Sequence, residues 1–426
     1  MSKVIMIGCD LHDASMLLKI AEGRGEPETR SFRNSEQGRQ GMIADLGRRS
    51  TDASGVRVVF AYEASSLGFG LYDQLTDAGV ECHVLAPTRI ERSSKHQRTK
   101  TDERDAQRLL EIVRGHVLAG NPLPAVWVPD PQTRDDREVV RARLDVREKV
   151  TRVKAQIQTL FKRHQIAKPE GIGTAWSCRH RAWVQGLALG QGALTPGVEV
   201  ALGTLWRQLI FLEEEIGLLD AKVAQLAQGP RYAGPVRALC RFKGVAILTA
   251  MVFLTEMGDL SRFSNRRQVG AYLGLAPSSA ESGETTDRKG HITHQGPSRV
   301  RKVLCQAVWS ALRVDAGLKG THARLTRGQR KRRKTATVAL MRQLGVRMWH
   351  VGLKAQRQGG SFGPAPVQEE PSMGERDGGV YRVEDHRRGT EQGPADARPS
   401  PPSGHRPRRS GRTPVEPYPP RRQTGV

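Results

Sequence analysis

The chain has 426 residues and a formal net charge of +24, which indicates a polyanionic partner, most simply nucleic acid. Residues 355–426 carry 12 arginines against 9 acidic residues, so +21 of this charge falls on residues 1–354, where the hydrophobic segments also lie. Five scattered cysteines without a C-x-x-C pair argue against a zinc module or a disulfide framework, and no apolar run approaches the roughly 20 residues of a membrane helix. We therefore expect a soluble, cytoplasmic protein without a membrane partner.

The first part of the chain alternates short apolar runs with helical patterns. Buried strands are predicted at Val4–Gly8, Ser15–Ala21, Val56–Tyr62 and Cys82–Ala86, and helices at Ser35–Leu46 and Leu67–Ala78. The second run is predicted to return beside the first as a hairpin. This alternation predicts an α/β domain with a central sheet over residues 1–130.

Four carboxylates stand where these predicted elements begin or end. Asp10 and Glu63 follow apolar strands, and Asp102 and Asp105 lie on one face of a helix for which Thr101 is a plausible N-cap. Carboxylates gathered at one sheet edge need a cation, and Mg²⁺ binds such groups together with phosphate oxygens. The alternative is that Asp102 and Asp105 only favour the helix N-terminus electrostatically.

Two long amphipathic helices are predicted within residues 131–230. Arg134–Lys162 and Leu202–Leu226 have apolar residues at helical spacing, and a loop-rich segment, Ala167–Val200, separates them. The pattern predicts an antiparallel helical pair or a coiled-coil-like arm. We prefer to interpret the arm as a helical spacer, although such arms often carry dimer contacts.

Residues 231–354 are predicted to form a mostly α domain. Lys243 and Gly244 lie between two apolar stretches within Val236–Phe263, which is typical of a helix–hairpin–helix whose turn binds nucleic-acid phosphates, or of a plain helical hairpin. Further helices are predicted at Val300–Leu312 and Thr335–Leu353. Residues 355–426 are rich in Pro, Gly, Arg and Ser, so we predict a disordered tail.

A candidate nucleophile lies between the hairpin and the last helices. Ser282 stands beside Gly283 and is followed by a basic, glycine-containing stretch with Arg288 and Lys289. A hydroxyl near cations and glycines suits phosphoryl transfer onto the protein, because cations offset developing charge and glycines let backbone N–H groups approach phosphate oxygens. The alternative is a surface loop rich in serine and glycine.

A second cationic run, Arg324–Lys334, precedes the final helix. Such runs usually contact a phosphate backbone and position it without reading sequence, although a merely solvated loop is the alternative. The candidate binding residues in this run are Arg330, Lys331, Arg332, Arg333 and Lys334.

Taken in order, these motifs resemble the IS110 family of bacterial insertion-sequence transposases, which have a RuvC-like DEDD domain and a C-terminal transposase domain. The resemblance runs from about Val4 to Lys354. The motifs that carry it are Ile7-Gly8-Cys9-Asp10, Tyr62-Glu63-Ala64, Lys100-Thr101-Asp102-Glu103-Arg104-Asp105-Ala106, Lys243-Gly244-Val245, Thr255-Glu256-Met257-Gly258-Asp259-Leu260-Ser261-Arg262-Phe263, Ala271-Tyr272-Leu273-Gly274-Leu275-Ala276-Pro277-Ser278, Glu281-Ser282-Gly283-Glu284 and Gly290-His291-Ile292-Thr293. Pro297 departs from the family, which commonly has Asn after the preceding glycine.

The resemblance implies a fold and a function for these residues. The N-terminal domain would be RNase H-like, with Asp10, Glu63, Asp102 and Asp105 as the DEDD set that holds Mg²⁺. Ser282 would attack DNA and form a transient phosphoserine link. The protein would work in the bacterial nucleoid as a homo-oligomer, a dimer or a tetramer, and a structured guide RNA would pair donor and target DNA.

Two other functions fit the same residues. A RuvC-like nuclease would hydrolyse branched DNA with water as the nucleophile and leave Ser282 idle, so it would form no covalent adduct. A non-catalytic nucleic-acid-binding remnant would bind even after loss of every carboxylate and would cleave nothing.

Overall fold

The structure, a computed structural model, describes residues 3–51, 56–90, 101–279 and 289–359. Its N-terminal part contains a five-stranded sheet in the order β3-β2-β1-β4-β5. The strands are β1 (Val4–Leu11), β2 (Ser15–Glu22), β3 (Glu28–Arg33), β4 (Arg57–Glu63) and β5 (Glu81–Leu85). The first three pair antiparallel, and β4 and β5 continue in parallel from β1, so the predicted α/β domain and its hairpin are confirmed.

β3 was not predicted from the sequence, and its burial explains why. Phe32 is half-buried and the other described side chains of this strand are exposed. The strand is therefore held mainly by its backbone pairing with β2, and it has no apolar run by which it could be recognised.

Three helices cover the two faces of the sheet: α1 (Glu36–Thr51), α2 (Gly70–Asp77) and α3 (Asp102–Ala119). Residues of β1 alternate between two apolar cores. Ile7 lies in the core that also contains Met42 of α1 and Leu75 of α2. Met6 lies in the opposite core with Leu110 of α3.

Gly8 is the point at which α3 crosses the sheet most closely. A Cβ atom at Gly8 would lie 2.2 Å from the backbone nitrogen of Leu110 and 2.3 Å from the carbonyl oxygen of Ala106. Only glycine leaves room for the helix backbone at this distance. The close crossing brings the N-terminal turn of α3 toward the end of β1.

After α3 the chain returns briefly to the sheet. Ala125 forms an isolated antiparallel bridge with Leu85, and the Val126 backbone nitrogen donates to the carbonyl oxygen of Val84 at 2.7 Å. The arm then begins.

The arm consists of two long helices, α4 (Pro131–Arg163) and α6 (Pro196–Gln228). Arg143 pairs with Asp220, and Lys154 pairs with Glu213. Because the partner number falls as the first rises, the helices are antiparallel, as predicted. The segment predicted to be loop-rich contains a helix, α5 (Cys178–Ala188), whose Val184 is fully buried in the core between the long helices.

The remaining described residues form a mostly helical domain with a two-stranded sheet. Its elements are α7 (Ala233–Leu239), α8 (Ile247–Met257), α9 (Arg266–Tyr272), β6 (Pro277–Ser279), β7 (Lys289–Ile292), α10 (Ser298–Val314), α11 (Ala316–Thr326) and α12 (Arg333–Gly359). None of the described helices is long and apolar enough to cross a membrane.

The last helix corrects the predicted start of the tail. α12 runs to Gly359, so residues 355–359 are helical and not disordered. Gln356 explains the extension, because its buried Oε1 accepts a hydrogen bond from the Leu260 backbone nitrogen at 3.1 Å. The rest of the predicted tail, residues 360–426, lies outside the described residues.

Candidate active site

Asp10, near the end of β1, meets the N-terminal turn of α3. One ligand atom from each of Asp10, His12 and Asp102 lies within 4.8 Å of the others. His12 Nε2 is 3.0 Å from Asp10 Oδ2 and 3.5 Å from Asp102 Oδ1. Two carboxylates that are far apart in the chain thus share one histidine.

The electrostatics of Asp10 reflect this crowding. Burial raises the pKa of the Asp10 carboxyl, and the charges of Asp102 and Asp105 raise it further, whereas His12 lowers it. The Asp10 side chain is 15 % exposed and that of Asp102 is 56 % exposed, so the site is partly enclosed at Asp10 and open to solvent at Asp102. Like charges held together in this way favour the binding of a cation.

Glu63 and Asp105 stand beside this group and do not belong to the cluster within 4.8 Å that the described residues form. Cys9 pairs with Tyr62 in the parallel register, so Asp10 and Glu63 are the next residues on two neighbouring strands. Asp105 is close enough for its charge to raise the pKa of Asp10. The structure therefore brings Asp10 and Asp102 to the same histidine, and Glu63 and Asp105 lie next to this group.

His12 is a site residue that the sequence analysis missed. Its backbone nitrogen donates to the carbonyl oxygen of Ser15 at 2.9 Å in the β1–β2 hairpin, which fixes the turn. A histidine two positions beyond a strand-terminal aspartate was the available signal. Oxygen donors from aspartates with one imidazole nitrogen form a set that divalent cations accept, so these residues fit a divalent metal ion.

The candidate nucleophile stands in the connection between β6 and β7. Ser282 and Arg288 lie outside the described residues, and Lys289 is the first residue of β7. On the described part of the hairpin, the Ser278 hydroxyl donates to the carbonyl oxygen of His291 at 2.9 Å.

The predicted phosphate-binding turn joins α7 to α8. Gly244 has a φ of +85°, and a Cβ atom there would lie 2.2 Å from the carbonyl oxygen of Ala307 in α10. Lys243 is 59 % exposed, with its Nζ 3.5 Å from Asp315. A helix–hairpin–helix and a plain helical hairpin share this shape, so the phosphate-binding function of the turn stays a prediction.

The second cationic run is not a single loop. Arg324 lies in α11, residues 330–332 form a short 3₁₀ helix, and Arg333 and Lys334 begin α12. Arg330, Lys331, Arg333 and Lys334 are exposed and Arg332 is half-buried. Among the described residues, none of the five predicted contacts pairs with a carboxylate. Cations in the first turn of a helix are electrostatically unfavourable, which supports a role for them outside the fold.

Comparisons with known proteins match both halves of the chain. A DEDD transposase model of the IS110 group matches residues 7–166, and the model described as the transposase IS116/IS110/IS902 family matches residues 236–337. The first match contains all four predicted carboxylates.

Individual relatives agree with the family models. The Sinorhizobium fredii relative y4qE, named as a transposase, is 33 % identical over 65 % of this chain and 67 % of its own. The transposase for insertion sequence element IS1533 of Leptospira borgpetersenii is 25 % identical over 67 % of this chain and 79 % of its own. A transposase binds DNA, and a DEDD domain implies the use of divalent metal ions. The chain is therefore an insertion-sequence transposase and belongs to the IS116/IS110/IS902 family.

Proposed function

We propose that the chain cuts and rejoins the DNA of its insertion sequence with Mg²⁺ at the carboxylates and Ser282 as the nucleophile, guided by a structured RNA. The observation that carries the proposal is the approach of Asp10 at the end of β1 to Asp102 at the start of α3, with His12 between them. This arrangement lies inside the segment that matches the DEDD model.

Asp10, Asp102, Glu63 and Asp105 would hold the metal, and bound Mg²⁺ would polarise the scissile phosphate and stabilise its developing charge. The protein's own contribution is to keep Asp10 in position. Its half-buried carboxylate is oriented by the 3.0 Å hydrogen bond with His12, and the exposed Asp102 leaves the site open to DNA.

In the proposed step the Ser282 Oγ attacks the scissile phosphorus. An Oγ–P bond forms, one P–O ester bond of the DNA breaks, and the proton of the serine hydroxyl balances the DNA hydroxyl that leaves. The reverse attack by a DNA hydroxyl releases Ser282 and restores a phosphodiester, so rejoining needs no nucleotide cofactor. Backbone N–H groups and cations near the hairpin would offset the charge of the transition state.

The guide RNA and the oligomer are part of the same proposal. The cationic run and the Lys243 turn are suited to phosphate contacts, which position nucleic acid without reading its sequence. Base pairing by an RNA would then supply the choice of sequence. We propose functional divisions at residues 1–130, 131–230 and 231–359, the last ending with α12, and a homo-oligomer that is a dimer or a tetramer.

The test is to co-express the chain with the DNA that flanks its gene, assay recombination and trap covalent protein–DNA adducts. The variants are Ser282→Ala and Asp102→Asn, with Ser278→Ala as the matched control, because Ser278 lies on the same hairpin and its hydroxyl already bonds His291. We expect adducts with the wild type and with Ser278→Ala, and none with Ser282→Ala or Asp102→Asn. If Ser282→Ala still cleaves DNA and no adduct forms, the proposal is wrong and the chain is a hydrolytic nuclease.

A further inference from the structure

A second group of metal-ligating side chains lies away from the active site. Ligand atoms of Glu81 and His83, on β5, and of His116, in the last turn of α3, all lie within 4.8 Å of one another. All three residues are half-buried. His116 is about 21 Å along the axis of α3 from Asp102, so the two groups stand at opposite ends of one helix.

The spacing within the group suits a shared ion. His83 Nε2 and Glu81 Oε1 are 3.0 Å apart. Two ligands bound tetrahedrally at about 2.0–2.1 Å are separated by roughly 3.3 Å, so a metal ion would fit between these atoms with little movement.

His116 is oriented as metal-binding histidines commonly are. Its Nδ1 is 2.7 Å from the carbonyl oxygen of Asn121, a distance at which Nδ1–H donates to the carbonyl. This hydrogen bond fixes the tautomer in which Nε2 keeps its lone pair. His83 and His116 stand edge to face, with ring centroids 6.0 Å apart.

Arg57 supplies an outer contact for the carboxylate. Its Nε donates to Glu81 Oε2 at 2.7 Å and its Nη2 donates to Oε1 at 2.9 Å. A metal ion bound through Oε1 leaves the Oε2–Arg57 hydrogen bond in place.

We propose that Glu81, His83 and His116 form a binding site for a transition-metal ion of the Zn²⁺ type, separate from the DEDD carboxylates. Two imidazoles and one carboxylate select Zn²⁺ over Mg²⁺, which prefers an all-oxygen shell. The ion ties the C-terminal turn of α3 to β5, the edge strand of the sheet. Because α3 carries Asp102 and Asp105 at its other end, the ion steadies the helix on which half of the catalytic carboxylates stand.

The test uses the full chain, stripped of metal with a chelator and titrated with Zn²⁺ by calorimetry and with Co²⁺ by visible absorption. The double variant Asp10→Asn with Asp102→Asn removes the two carboxylates that meet at His12 and so weakens metal binding at the active site. The ligand variants then show how much of the remaining binding belongs to the second group. His83→Gln and His116→Gln are then added singly to this background. His164→Gln is the matched control, because this exposed histidine lies at the end of α4, outside the group.

We expect one Zn²⁺ per chain in the background and in the His164→Gln control. Either ligand variant is expected to weaken binding by more than the roughly 10- to 100-fold typical of outer-shell losses, and to remove the Co²⁺ absorption of a histidine-bound ion. Zn²⁺ should raise the melting temperature of the background and not that of His116→Gln. Unchanged Zn²⁺ affinity in both variants, with circular dichroism like that of the background, would overturn the proposal and leave Arg57, Glu81 and His83 as a metal-free cluster at the sheet edge.

Discussion

The guanidinium of Arg141 in α4 donates two hydrogen bonds to the carboxylate of Glu256 in α8, at 2.8 and 3.1 Å. One turn earlier in α4, Arg137 donates to the carbonyl oxygen of Thr255 at 3.0 and 2.8 Å. The Glu256 side chain is only 7 % exposed. These contacts fix the first helix of the arm to the C-terminal helical domain, so the arm is not a loosely tethered spacer on this side.

Loss of the buried carboxylate should therefore cost stability. Glu256→Gln removes the buried charged partner of Arg141, and we expect the free energy of unfolding to fall by about 3 kcal/mol, measured by denaturant titration. Glu138→Gln is the control, because Glu138 lies 3.5 Å from the same arginine and is 73 % exposed. That change should cost less than about 1 kcal/mol, and equal losses in the two variants would contradict the argument.

Gly8→Ala tests whether the close crossing of α3 builds the active site. The added methyl would meet the backbone of Ala106 and Leu110, so α3 must shift away from β1 and carry Asp102 away from Asp10. We expect a loss of DNA cleavage together with a destabilisation of about 1–3 kcal/mol.

The control is Gly41→Ala in α1, where a Cβ atom meets nothing within 4 Å. It should retain cleavage and gain up to about 1 kcal/mol of stability from the better helix former. A Gly8→Ala protein with wild-type cleavage would show that the crossing distance does not set the site.

Asp10→Asn should stabilise the metal-free chain. The raised pKa of Asp10 means that its charged form is disfavoured in the fold, so at neutral pH the ionised carboxylate lowers stability. Removing this charge is expected to add about 0.5–2 kcal/mol in the presence of a chelator, while abolishing cleavage. The gain should shrink as the pH falls through the raised pKa and vanish below the ordinary value of 3.8, where both states are protonated.

Thermal unfolding across this pH range measures the effect. Asp13→Asn, at an exposed neighbouring position, is the control and should stay within about 0.5 kcal/mol of the wild type. A stability gain from Asp10→Asn that persists at pH 3 would mean that the ionisation of the partly buried Asp10 is not its cause.

The exposed cations around the start of α12 should contribute to DNA affinity through phosphates. Replacing Arg330, Lys331, Arg333 and Lys334 with Gln should reduce the slope of log affinity against log salt by up to about 3.6, at about 0.9 per lost phosphate contact. The variant should fold at least as stably as the wild type, because replacing Arg333 and Lys334 removes unfavourable positive charge from the N-terminal turn of α12. Binding measured at several salt concentrations gives the slope.

Arg143→Gln is the matched control for this measurement. Arg143 is already paired with Asp220 at 2.6 Å, so its loss should leave the salt slope nearly unchanged. Arg143→Gln removes one charge and the other variant removes four, so a slope change in Arg143→Gln about a quarter as large would mean that the effect comes from net charge and not from this surface.

Elements whose residues repeat a short pattern could be predicted from the sequence alone. The apolar runs of β1, β2, β4 and β5 and the spacing in α4 and α6 were recognisable because each pattern repeats within a few residues. The carboxylates at element ends and the excess of cations are also visible in the sequence, and the ordered set of motifs resembles the transposase family. β3 and α5 were not predicted, because β3 has one half-buried side chain and α5 has two buried ones. So few apolar positions form no recognisable pattern.

Contacts between side chains of different elements, in contrast, could not be predicted from the sequence and are known from the fold. His12 joins Asp10 to Asp102 across the gap between β1 and α3, and Glu81 meets His116 although the two are far apart in the chain. Such encounters depend on where a helix crosses a sheet, here at Gly8, and a backbone crossing is set by the packing of many residues at once. Short sequence patterns predict each element separately, so they do not show where α3 crosses the sheet.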